Sequence, residues 1–248
     1  MKSILKKVGG VAVAAVLAFG MAGCSNPSAP AGPTGPDYSK CVVGDFILKD
    51  GTILSKDETP ASGTVAAVIV RAAADGKPAL GVGIVHNKSG HAWCTEEASG
   101  FEIQISDLVG DKTSDYMDGS DSLGILVEKC DDLKKATKET FETVAEKYPA
   151  FNYCRKYGEN NGLKGDLANG WYLPTVAELY TIYQNKEIVD ASLTKAGRSN
   201  FGTGRYWSCC QAPSNGIDAR ALGFDDGNVD NYAKDRSESC VCSVRAFN

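Results

Sequence analysis

Past its first two dozen residues the sequence has no apolar run long enough to cross a bilayer, which takes roughly 20 residues. It has no basic excess: the formal net charge is -5. That balance argues against nucleic acid as a partner, which wants a basic stripe. There is no block of like charge of the kind that marks a disordered interaction tail. There is no CxxC pair, so zinc-ribbon and thioredoxin-like chemistry lose their usual signature. No internal repeat is visible.

What is present begins at the amino end. Lys2, Lys6 and Lys7 precede an apolar, small-residue run over 8–22, too short to span and suited to a signal-peptide core. It ends in Met21-Ala22-Gly23-Cys24. That ending resembles the lipobox of bacterial lipoproteins, with Met21 where Leu is usual. The resemblance implies cleavage after residue 23 and lipid attachment at Cys24. Residues 25–36 carry Pro27, Pro30, Pro33 and Pro36 among small polar residues. Such a stretch buries little and favours extended polyproline II. The expected organisation is therefore a signal peptide (1–23), a lipidated tether (24–38) and a folded part (39–248). The membrane is a partner through the lipid alone, and the expected location is the outer membrane or cell surface.

Eight cysteines remain after Cys24: Cys41, Cys94, Cys130, Cys154, Cys209, Cys210, Cys240 and Cys242. Export makes disulfides feasible, and their pairing stays open. Adjacent Cys209 and Cys210 are expected on opposite faces of a strand, and Cys240 and Cys242 on one face.

The folded part opens with β signals over 39–105. Asp50-Gly51 inside 42–54 predicts a hairpin. Residues 65–70 and 79–86 predict strands, the second with glycines that mark a bulge or a close backbone approach. Residues 101–105 alternate and predict another strand. Residues 107–121 read as a solvated acidic loop, with Asp111, Asp115, Asp118 and Asp121 as the weaker calcium alternative. Two helices are expected within 137–185. One covers 137–157 with a kink at Pro149, on the spacing of Phe141, Val144, Ala145, Tyr148, Phe151 and Cys154. The other runs from Val176 to Gln184 behind a Thr175–Glu178 capping box. After Asn185 mostly β structure is expected.

The most informative segments are Gly170-Trp171-Tyr172-Leu173-Pro174-Thr175, Glu178-Leu179, Tyr206-Trp207-Ser208, Phe224, Gly227 and Val244-Arg245-Ala246-Phe247. Their order and spacing resemble bacterial surface proteins with C-type-lectin-like domains, in the formylglycine-generating-enzyme-like branch. They look most like spirochaete lipoproteins varied by diversity-generating retroelements. The resemblance covers about a third of the chain closely. It implies an α+β, C-type lectin-like fold with two helices and small antiparallel sheets. It also implies that Trp171, Pro174, Glu178, Tyr206, Trp207, Phe224, Gly227 and Arg245 are scaffold. Read physically, the large residues suit a core, and a buried Arg245 would need a carboxylate or carbonyl partner.

Between these marks, residues 209–239 are small, polar and irregular. Rewriting Asn codons at their first two bases yields Asn, Asp, Tyr, Ser, Cys, Gly and Arg among others, and excludes Lys, Glu and Gln. In the resembled family that chemistry produces a variable ligand face. The candidate ligand-binding residues here are Arg205, Cys209, Cys210, Ser214, Asn215, Asp218, Arg220, Asp225, Asp226, Asn228, Asp230, Asn231 and Tyr232. Tyr232 and Arg220 are the expected anchors, since aromatic and Arg side chains dominate hot spots. Gln211, Lys234 and Glu238 fall outside the permitted set, so their codons must be fixed or different.

The expectation is a monomer that binds a protein or glycan ligand, with no cofactor, no metal and no catalysis. The rival readings are an oxidoreductase using Cys209-Cys210 or Cys240 and Cys242, and a structural envelope lipoprotein. A calcium lectin is weaker still. Asp226, Asn228 and Asp230 begin an EF-type spacing, but Asn231 stands where Gly is needed and Ser237 where Glu is needed. His86, His91 and Cys94 as a metal corner rank below surface or packing roles.

Overall fold

A computed structural model describes residues 35–113, 118–213 and 215–248. The signal segment, Cys24, most of the tether, Asp115 and Ser214 lie outside the described residues. Residues 35–248 form one compact unit.

Two antiparallel sheets organise it, in an α+β arrangement. The first has five strands in the order β2-β1-β3-β4-β8. β1 (Phe46–Leu48) and β2 (Ile53–Leu54) form the hairpin around Asp50-Gly51. Gly51 has φ +88°, the left-handed conformation that suits glycine at this turn. β3 (Val65–Arg71) is buried along nearly its whole length, because both faces of the sheet are covered. Alternation sorts its side chains. Val68 and Val70 join Leu80, Val82 and Val244 under the later helices. Ala67 and Ile69 join Ile47, Trp171, Tyr157 and Phe247 on the other side.

β4 (Ala79–Gly83) carries two glycines that neighbouring rings occupy. A Cβ on Gly81 would stand 2.6 Å from the Phe247 ring, and one on Gly83 would stand 2.3 Å from the Tyr157 ring. The Tyr157 hydroxyl accepts from the Ile84 N–H (2.8 Å) and donates to the Ala66 carbonyl (3.1 Å). The last strand, β8 (Val244–Phe247), closes the sheet against β4.

The middle of the chain is more helical than expected. α1 (Ser122–Lys129) and α2 (Asp131–Lys135) follow the acidic segment. The single kinked helix expected over 137–157 is three short ones: α3 (Phe141–Ala145), α4 (Pro149–Arg155) and α5 (Tyr157–Asn160). Pro149 starts α4 at its first turn, where no amide donor is needed, so it divides rather than kinks. Residues 101–105 are not in a strand. Their backbone is served by side chains instead. The Lys234 ammonium donates to the carbonyls of Phe101 and Ile103, and the Ile105 N–H donates to Gln211 Oε1.

α6 (Val176–Gln184) has the expected capping box. Thr175 Oγ1 accepts from the Glu178 N–H at 3.1 Å, and Glu178 Oε2 accepts from the Thr175 N–H at 2.9 Å. The Tyr172 hydroxyl donates to the other carboxyl oxygen at 2.8 Å. α7 (Lys186–Lys195) follows at once, where β structure was expected. It buries only Val189 and Leu193 as apolar residues, too sparse a stripe to announce itself. Two helices were expected; the described residues hold seven.

Burial raises the Glu178 carboxyl to about 7, against the opposing Thr175 N–H and Tyr172 hydroxyl. The unfolded chain ionises near its ordinary value, so the native state holds the proton longer. This contribution to stability is present at low pH and is lost as pH rises through about 7. Glu178→Gln removes the loss. Between about pH 5 and about pH 8, urea unfolding should shift the stability difference in the variant's favour by roughly 2–3 kcal/mol. A gap that stays constant with pH would contradict this assignment.

Candidate functional site

The second sheet holds the candidate ligand residues. Its order is β5 (Arg205–Gln211), β6 (Asp218–Gly223) and β7 (Val229–Ala233). The eight scaffold positions are all buried. Trp207 Nε1 donates to the His91 carbonyl and Trp93 Nε1 to the Ser208 carbonyl, pinning β5 to the 91–93 segment. Arg245 has both kinds of partner: Asp166 Oδ2 at 2.6 Å and the Asn169 carbonyl at 2.9 Å.

The pairing register divides the ligand candidates. Arg205 sits opposite Gly223, Trp207 opposite Ala221, Ala221 opposite Asp230, and Ala219 opposite Tyr232. Cross-strand partners share a face, so Arg205, Asp230 and Tyr232 lie together over small β6 residues. The Arg205 guanidinium is 5.2 Å from the centre of the Tyr232 ring, and Trp207 meets that ring edge-on at 6.3 Å. The Tyr232 hydroxyl is 3.3 Å from Asp230 Oδ2. Arg205 and Asp230 are exposed and Tyr232 is half-buried.

Asp218, Arg220 and Asn231 belong to the opposite face. Arg220 is not a free anchor. It is half-buried, and its Nη1 donates to the Gly110 carbonyl at 2.6 Å. Asp218 accepts from Asn215 Nδ2, and Asn215 Oδ1 caps the N–H groups of Ile217 and Asp218. The expected single face is thus two faces, and the surface that gathers exposed candidates is the edge strand β7 with its hairpin.

That hairpin is built locally. Asp226 accepts from the Asn228 N–H (2.9 Å) and side-chain amide (2.6 Å), which holds its carboxyl below the ordinary value. Gly227 has φ +71°, and a Cβ there would stand 2.5 Å from the Tyr183 ring. Asp225, Asp226 and Asn228 are exposed beside the Arg205–Tyr232 pair.

Cys209 and Cys210 leave the ligand set. They are 2% and 1% exposed. They also do not point to opposite faces. The β5–β6 register shifts between Trp207 and Gln211, and both cysteines line one small cavity. All eight cysteines of the described residues are buried free thiols.

His86 and His91 are engaged by neighbours. His86 Nε2 lies 2.9 Å from the Gly83 carbonyl, and its ring packs on Phe201 at 4.1 Å. Burial pushes His86 down to about 4. His91 Nε2 meets the Asn87 amide at 2.7 Å. Among the described residues no group of three or more His, Cys, Asp or Glu is placed to hold a metal ion.

The residue whose role the sequence left unassigned is Lys234. It is 0% exposed. Its ammonium donates to the carbonyls of Gly100 (2.7 Å), Phe101 (3.1 Å), Ile103 (3.2 Å) and Gly216, and lies 4.9 Å from the centre of the Trp93 ring. Its own carbonyl accepts from the N–H groups of Trp93 and Cys94. Burial pulls the ammonium down to about 8. Four carbonyls favour the charged form, which offers three donors. Its signal in the sequence was being, with Gln211 and Glu238, one of three residues of 209–239 outside the permitted set.

No protein-family model matches this chain, and no curated protein matches it. A crystal structure of a fimbrial protein from Bacteroides ovatus is similar in fold, with a TM-score of 0.56 at 13% identity. The similarity covers 84% of this chain and 49% of that one, so this chain spans about half the length of the Bacteroides protein. No helix of the described residues is long and apolar enough to cross a membrane.

Lys234→Met keeps the stem and removes the donors, leaving four carbonyls short of partners. Each buried unsatisfied group costs about 1–3 kcal/mol, offset in part by the ammonium desolvation that is relieved. A net loss of roughly 3 kcal/mol in denaturant unfolding is expected. Unchanged stability would mean the carbonyls do not depend on the ammonium.

Proposed function

We propose that this is a lipid-anchored surface protein that binds a protein or glycan ligand, without catalysis, through the β6–β7 hairpin end of its second sheet. The observation that carries the reading is the exposed group formed by Arg205, Asp225, Asp226, Asn228 and Asp230 around Tyr232, held on the buried Trp207. Loops and edges on a rigid scaffold are the usual place for recognition. Tyr with Asn, Asp and Arg is an adaptable contact vocabulary.

The fold likeness to a fimbrial protein supports a surface and adhesive role. The motif resemblance supports a C-type-lectin-like domain varied in its last part. Within that reading the variable positions that reach a ligand are 205, 225, 226, 228, 230 and 232. Arg220, Cys209 and Cys210 serve the interior.

The test applies residues 35–248, labelled, to a printed glycan array and an array of surface and matrix proteins. Tyr232→Ala should weaken any specific signal at least roughly tenfold, and Asp218→Ala, on the opposite face, should leave it nearly unchanged. Equal loss in both, or loss in neither, would sink the assignment of the edge. The anchor has its own test. In cells given labelled palmitate, the wild-type chain should carry label and sediment with membranes, and Cys24→Ala should do neither. Labelled or membrane-bound Cys24→Ala chain would refute attachment at that residue.

A further inference from the structure

We propose that Cys209 and Cys210 form a peroxide-sensitive vicinal dithiol that closes reversibly into a disulfide between neighbouring residues. Three features of the buried structure point to this modification site. First, the register shift in β5 breaks the alternation that would separate adjacent side chains, and both cysteines line one cavity. Second, that cavity measures about 10 Å³, which suits an occupant the size of water and excludes bulky disulfide reagents. Third, Ser122 lines the same cavity at 2% exposure, and its hydroxyl faces the Cys209 thiol, a weak partner. A buried hydroxyl whose partner is only a thiol is poorly satisfied, and a small polar guest would complete it.

The surroundings separate the two thiols. A hydrogen bond from the Cys209 thiol holds Cys210 below its ordinary value, with help from the Val176 N–H and the Ser208 hydroxyl and against desolvation. Cys209 is raised by the same pairing and by burial. Cys210 is therefore the first nucleophile and Cys209 the resolving thiol. The Cys210 thiolate attacks one oxygen of hydrogen peroxide, the O–O bond breaks, and the departing hydroxide takes a proton to become water. Cys210 is left as a sulfenic acid. The Cys209 sulfur then attacks the Cys210 sulfur and the S–O bond breaks. Hydroxide leaves with the Cys209 proton as a second water. Two thiols have lost two electrons, and one peroxide has become two waters.

The product is easily reversed. A trans peptide sets adjacent Cα atoms about 3.8 Å apart, shorter than the usual disulfide span of about 4.4–6.8 Å, so the closed ring is strained. Strained disulfides are the reducible, regulatory kind. Closing the ring draws the bulge of β5 together. That moves the Cys209 N–H, which donates to the Pro174 carbonyl at 2.8 Å, next to the α6 cap.

The test treats the reduced, purified full chain with hydrogen peroxide, then unfolds it in excess maleimide and maps each cysteine by mass spectrometry. The peptide holding 209 and 210 should become two hydrogens lighter, take up no maleimide, and recover both on reduction. It should do so roughly tenfold faster than Cys41, Cys94, Cys130 or Cys154 is lost. Cys209→Ser should stop at a sulfenic acid on Cys210, trapped by dimedone present as the chain is unfolded. Maleimide uptake at 209 and 210 no different from the other cysteines would overturn the proposal. So would disulfides from either to a distant cysteine, or separate over-oxidation of the two sulfurs. The wild-type map decides the matter even where the variant does not fold.

Discussion

A buried ammonium without a carboxylate holds this molecule together beside its second sheet. Lys234 reaches four carbonyls on two loops, and its backbone bonds to a third segment at Trp93 and Cys94 and to Ile217. Taking an ammonium from water costs several kcal/mol, so such a site persists only when every donor is used. Here three donors meet four acceptors, and the loops around them need no strand ladder of their own. The constraint also shapes the surface. Along one face of β7 and its continuation, exposure falls from Asp230 through the half-buried Tyr232 to the buried Lys234. Only the hairpin end can present side chains outward.

This gradient explains what composition reasoning could and could not locate. The permitted-codon argument selects residue types, and types do not encode strand parity or depth. It therefore grouped Arg220 and Asp218 with Tyr232, although the register puts them on the other face. It included Cys209 and Cys210, which belong to the core. Its exclusions were more informative. Gln211 and Lys234 are both 0% exposed, and both serve the backbone of the 100–105 segment. Glu238, also excluded, is exposed, and nothing in the structure explains it.

Local signals were legible where local chemistry decides the outcome. The Asp50-Gly51 turn and the Thr175–Glu178 box are settled within a few residues, and both stand as read. The glycines of β4 were legible as places of close approach, though not which rings approach them. Elements settled by distant partners were not legible. Residues 101–105 alternate like a strand, yet their amide and carbonyl groups go to Gln211 and Lys234, more than a hundred residues away. α7 stands on two apolar contacts and on Asp190, whose carboxylate pairs with Lys186 and accepts from the Phe201 N–H.

Strand β5 joins these themes. Its first residue, Arg205, is exposed beside Tyr232, and its last, Gln211, is buried against Ile105. Between them Trp207 supports the outer ring while Cys209 and Cys210 occupy the bulge. A bulge adds local twist and re-aims side chains on either side of it. The irregularity that brings two neighbouring thiols to one cavity lies in the same strand that carries Arg205 and Trp207 to Tyr232. A covalent change in the bulge and a contact at the edge act on one seven-residue strand. A coupling between them would need no longer path than that strand.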